Sequence, residues 1–128
     1  MRNYRRNDTL LKSFACAVKG ILWVTASQRN MKIHQAAAAA VLAAAVWFEI
    51  NYLEAAIVFF AMALVMVAEM VNTAVEKTVD LVTQEYHPLA GRAKDAAAGA
   101  VLLAAFFSVC IGIFVFLPYI KKWLAKIF

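Results

Sequence analysis

Four side chains, Glu69, Asn72, Glu76 and Asp80, recur at spacings of three, four and four residues. On a helix turning ~100° per residue they fall within an arc of about 80°, so three carboxylates and an amide form one polar stripe. The stripe directly follows the apolar residues Val67 and Ala68. An ionisable group facing lipid at that depth costs several kcal/mol, so such groups tend to be functional. The competing reading, a solvated extension of the helix, weighs more for Asp80 than for Glu69. Clustered carboxylates repel unless a cation sits among them, and a hard ion such as Mg²⁺, held by one or two carboxylates plus phosphate oxygens, fits that need.

The stretch from Thr83 to Asp95 is the most polar of the second half of the chain. Pro88, with good helix formers after it, can open a helix. Arg92 and Lys94 bring positive charge to where a polyphosphate would meet a carboxylate-bound metal, although a basic pair at a membrane boundary also serves as a plain anchor. The familiar nucleotide motifs G-x-x-x-x-G-K-[ST] and G-x-G-x-x-G do not occur, and neither His34 nor His87 belongs to an H-E-x-x-H pattern. An acid-plus-base site at headgroup depth suits phosphoryl transfer to a lipid hydroxyl, with a carboxylate accepting the proton. It equally permits ion coupling in a transporter, or a non-catalytic membrane role.

The elements that must carry this site are set by composition. The chain has 128 residues, 65% of them hydrophobic, against roughly 45–50% in ordinary soluble domains, and a mean hydropathy of +0.72. So small a globule cannot hide that much apolar surface in a single core, which points to an all-α integral membrane protein built as a single membrane domain. Thirteen Lys and Arg against eight Asp and Glu give a net charge of +5, which suits an anionic membrane surface better than nucleic acid here. Cys16 and Cys110 are not spaced as a disulfide framework or metal knuckle and read as reduced packing residues. The basic start, with Arg2, Arg5 and Arg6, leads into no continuous apolar stretch and is expected to stay on the mature protein.

Residues 1–30 read as a basic segment with an amphipathic surface helix, its apolar stripe running through Leu10, Leu11, Phe14, Val18, Ile21 and Leu22. Three transmembrane helices follow, at 33–50, at 54–82 with a cytosolic extension, and at 96–117. A cytosolic loop, 83–95, joins the last two, and Pro118 is expected to end the third helix before a basic tail, 118–128. The third run is uncharged and roughly 33 Å long at ~1.5 Å per residue. The first two apolar runs are shorter and need polar ends at the interface. Alanine clusters at 36–40 and 96–100 allow close helix contact, within or between chains. The distribution of Lys and Arg places the N-terminus and the 83–95 loop in the cytosol, with only the basic tail opposing.

The stretch Glu69-Met70-Val71-Asn72-Thr73-Ala74-Val75-Glu76-Lys77-Thr78-Val79-Asp80, followed by Glu85-Tyr86-His87-Pro88-Leu89-Ala90 and Ala93-Lys94-Asp95, closely resembles the signature of the small prokaryotic diacylglycerol kinase family. Weaker similarity extends over about Leu10 to Leu117. Arg29-Asn30-Met31-Lys32-Ile33-His34 and His87-Pro88-Leu89-Ala90 look more like its undecaprenol kinase branch than its diacylglycerol-specific branch. The resemblance implies a homotrimeric helical bundle in the cell (inner) membrane, with active sites shared between neighbouring chains and facing the cytosol. It implies ATP as co-substrate, Mg²⁺ as metal, and undecaprenol or diacylglycerol as the alcohol. Position by position, it implies Glu69 as proton acceptor, Asn72 as its catalytic support, and Glu76 as a metal ligand. Glu85, Tyr86, His87, Lys94, Asp95, Lys12 and Lys19 match nucleotide-binding positions, while Glu69 and Ala98 match lipid-binding ones. The family's second metal-binding glutamate is replaced here by Gln28, whose carbonyl can coordinate the ion but adds no negative charge.

Overall fold

A computed structural model describes residues 9–128; the basic start through Arg6 lies outside them. Four helices follow in order: α1, Leu10–Ser27; α2, Arg29–Trp47; α3, Tyr52–Val82; and α4, Pro88–Ile127. Each boundary has a local cause. Thr9 caps α1 by accepting from Lys12 N at 3.4 Å. Gln28, extended at φ −95 and ψ 124, is at once the last cap of α1 and the first of α2. The chain therefore turns on one residue, and Val24 and Met31 are buried on either side of the corner. Gln35 of α2 reaches back to Thr25 of α1 at 3.2 Å.

Between α2 and α3 the backbone passes through Glu49 at φ 49. Asn51 and Glu54 then form a reciprocal capping box that starts α3. The first span expected at 33–50 is thus a helix of 29–47, followed by a turn. His87 caps α4 by accepting from Leu89 N at 3.2 Å, with Pro88 in the first turn. The loop expected at 83–95 is therefore only 83–87, and Lys94 and Asp95 stand on a helix.

α3 and α4 are antiparallel, and three contacts at successive levels fix their register. Lys94 meets Asp80 at one end. In the middle, the Ser108 hydroxyl lies 3.0 Å from Ala61 O and 2.8 Å from Ala104 O. At the other end the Tyr119 hydroxyl donates to Glu54 Oε2. Ala61 and Ala104 are both buried, as small side chains at a close helix crossing should be.

Pro118 does not end the last helix, which runs through it to Ile127. A proline removes one helical donor, a loss that membrane helices absorb where neighbours hold the chain. Here the residues flanking Pro118 are held: Phe116 and Tyr119 each set a tilted ring against Phe48, with centroids 6.3 Å apart, and Tyr119 bonds Glu54.

Among the described residues, α1, α3 and α4 are long and apolar enough to cross a membrane. α2 is not among them, because its first turns carry Arg29, Asn30, Lys32, His34 and Gln35. The accessible surface is 10335 Å², far above the roughly 6,700 Å² of a compact soluble monomer of this mass. Leu10, Phe60, Leu102 and Phe114 are among many large apolar side chains on it. The chain is a membrane protein whose outer face requires lipid or other apolar cover.

Candidate active site

Helix α3 carries Glu69, Asn72 and Thr73 past α2 and α4, and burial there is nearly complete: 2%, 5% and 1% of each residue remains accessible. Thr73 resolves its own hydroxyl locally by donating to Glu69 O at 2.9 Å. Asn72 Nδ2 donates to Glu76 Oε1 at 3.1 Å, one turn on. Two buried oxygens are left without a partner, Glu69 Oε2 and Asn72 Oδ1. Native structures rarely strand such atoms, since each unmade bond costs about 1–3 kcal/mol, so a pair of them at one place makes this the candidate site.

Both residues open into a cleft of about 290 Å³. Its walls are Asn30, Ile33 and His34 from α2, the Glu69–Asn72–Glu76 row from α3, and Ala98, Val101, Leu102 and Ala105 from α4. Beside it runs a second, larger groove of about 480 Å³, lined by aliphatic and aromatic side chains of the same three helices, including Val41, Met62 and Phe116. His34 and Ala105 line both. An acidic cleft thus adjoins an apolar one, an arrangement suited to an amphiphile with a polar end.

The polar stripe read from the sequence divides. Glu69, Asn72 and Glu76 line the cleft, whereas Asp80 is exposed and ion-paired to Lys94 at 2.6 Å and to Lys77 at 3.9 Å. The hydrogen bond from Lys94 holds the Asp80 carboxyl below the usual carboxylate range, opposed by partial desolvation and aided by the charges of Lys94 and Lys77.

The remaining expected residues are spread around this centre. Ala98 lines the cleft. Gln28 sits at the α1–α2 corner, its amide donating to Ser27 Oγ at 3.4 Å, and is not part of the cleft wall. Glu85 and Tyr86 are exposed in the short loop, and His87 spends its Nδ1 on capping α4. His87 also lines a third pocket, of about 370 Å³, with Thr78, Val82 and Thr83. Asp95 is exposed on α4, as are Lys12, Lys19 and Cys16 on α1. Among the described residues no cluster of three His, Cys, Asp or Glu could by itself hold a metal.

Sequence reasoning did not single out His34, Asn30 or Thr73. A signal existed for His34: like Glu69, it is an ionisable residue at the edge of an apolar run.

The sequence profile of the family described as prokaryotic diacylglycerol kinase matches residues 15–116. The undecaprenol kinase of Bacillus subtilis (strain 168) is 48% identical over 112 residues, covering 87% of this chain and 90% of that protein. A diacylglycerol kinase of Synechocystis sp. is 46% identical over 110 residues, 85% of this chain and 63% of that one. The diacylglycerol kinase of Escherichia coli (strain K12) is 38% identical over 65 residues, 51% of this chain and 53% of that one.

Proposed function

The chain belongs to the prokaryotic diacylglycerol kinase family, a family of membrane lipid kinases that use ATP, and from that premise we propose that it phosphorylates undecaprenol. The identity to an undecaprenol kinase over nearly the whole length of both proteins supports that choice of alcohol. The observation that carries the chemistry is the buried, unpartnered Glu69 Oε2 in a cleft that adjoins an apolar groove.

In this reading the lipid's chain lies among apolar residues and its hydroxyl enters the cleft. Glu69 accepts the hydroxyl proton as the alcohol oxygen attacks the γ-phosphorus of ATP. The bond from that phosphorus to the β–γ bridging oxygen breaks, and ADP leaves. Asn72, bonded to Glu76, holds that carboxylate in place. Lys94, Asp95, Glu85, Tyr86 and His87 bind the nucleotide from the α3–α4 end, with Lys12 and Lys19 contributing from α1.

The oxygens of Glu76 and the unpartnered Asn72 Oδ1 are the hard donors that Mg²⁺ takes, and they fit an ion whose remaining ligands are phosphate oxygens and water. When bound, that ion neutralises phosphate charge. Gln28 stands at the α1–α2 corner outside the cleft wall, and its carbonyl would add no charge to the ion if it served as a further ligand. We place the active site on the cytosolic face of the inner membrane, in a homotrimer.

The test is transfer of label from γ-labelled ATP by the purified protein in bilayers offered undecaprenol or diacylglycerol. Label in undecaprenol is expected. Label confined to diacylglycerol, the alcohol for which the relatives from Synechocystis and E. coli are named, moves the substrate assignment, and label in neither ends the kinase reading for this chain.

A further inference from the structure

The acidic cleft and the apolar groove meet at two residues, His34 on α2 and Ala105 on α4. Of the side chains lining the groove, only His34 and Ser108 carry nitrogen or oxygen. Ser108 commits its hydroxyl to the carbonyls of Ala61 and Ala104. A molecule lying in the groove with its polar end toward the cleft therefore meets one available polar side chain on the way, the imidazole of His34.

An alcohol entering the cleft brings one hydrogen to donate and lone pairs that accept. Glu69 Oε2, buried and unpartnered, meets the hydrogen. The lone pair needs an N–H, because a hydroxyl taken out of water without its bonds costs free energy. Asn72 Nδ2 gives one of its two N–H groups to Glu76, and Asn72 lines the cleft but not the groove. Asn30 lines the cleft but not the groove, so His34 is the donor that stands where the two meet.

We propose that His34 positions the lipid alcohol, its N–H donating to the substrate oxygen while the hydroxyl donates to Glu69 Oε2. The role rests on the kinase reading given above. Held between the two side chains, the alcohol keeps one lone pair free for attack and its proton already on the acceptor's side. The imidazole also forms the threshold between the apolar and polar spaces, so it acts on the lipid and not on the nucleotide.

Two measurements decide it. In steady-state assays with undecaprenol, His34→Phe, which keeps a ring but no donor, is expected to lower kcat/KM for the lipid about tenfold, the worth of one hydrogen bond. The KM for ATP stays as in the wild type, and His34→Gln, which restores an N–H, recovers most of the loss. A purely structural role would disturb both substrates and would not be rescued. Unchanged lipid kinetics in His34→Phe overturns the proposal while leaving the kinase reading intact. The second measurement needs no turnover: the wild-type full-length protein, with its two histidines labelled with nitrogen-15, is titrated with geranylgeraniol and with the matching hydrocarbon. The alcohol is expected to shift the His34 side-chain resonance and the hydrocarbon to leave it, with His87 as internal reference. A His34 signal indifferent to the hydroxyl overturns the role even if no lipid alcohol is phosphorylated.

Discussion

At the scale of single residues, Glu69 has the strongest claim to chemistry because its carboxylate is buried in a wall with one oxygen unmatched. Glu69→Gln keeps the shape and removes the base. Turnover should fall by roughly 10²- to 10⁴-fold, with the elution profile of the purified protein unchanged; near-normal turnover would contradict the role. Gln28 is the opposite case, a neutral residue where the resemblance implies an acid. Gln28→Glu should lower the Mg²⁺ concentration needed for half-maximal turnover, and an identical metal titration would remove position 28 from the site. The cleft itself was legible in the sequence at Glu69, Asn72 and Glu76, because helical spacing alone puts them on one face. At His34 the sequence shows an ionisable residue beside an apolar run but not that it joins Glu69 in one cleft, which depends on the turn at Gln28, a tertiary feature without a sequence period.

At the scale of elements, the antiparallel pairing of α3 and α4 carries the site between two polar clasps, and the Asp80–Lys94 clasp has a pH signature. The Asp80 carboxyl is held below its ordinary value, so the clasp contributes its full stability above the unfolded carboxylate's value, about 3.9. That contribution is lost as pH falls through the lower native value. Asp80→Asn should therefore unfold at a lower temperature than the wild type at pH 7, and the gap should close on acidification below about pH 4, followed by circular dichroism in detergent. A gap that persists unchanged to pH 3 would assign the destabilisation to something other than this charge. The helical runs and the helix start at Pro88 could be read locally. The passage of α4 through Pro118 could not, because what sustains it is Phe48 and Glu54, more than sixty residues earlier in the chain.

At the scale of the whole molecule, the folded chain buries little of its own apolar surface, and the alanine run of α2 shows where cover is needed. Ala38 is buried inside, but Ala36, Ala40 and Ala43 are exposed and recur at helical spacing along one face. Lipid tails would cover such a stripe without requiring small side chains, whereas a second helix would need them in order to approach closely. The stripe thus favours a neighbouring chain over lipid, in keeping with the homotrimer proposed above. Ala40→Leu keeps the helix and an apolar face while adding bulk on it, so its effect reads out proximity rather than polarity. Light scattering of the wild type in detergent should give the mass of three chains. The variant should lose mass toward the monomer, with phosphoryl transfer falling alongside if, as the resemblance implies, neighbouring chains share each site. A variant that holds the wild-type mass and turnover would show that this face meets lipid, and the trimer contact would then have to lie on another helix.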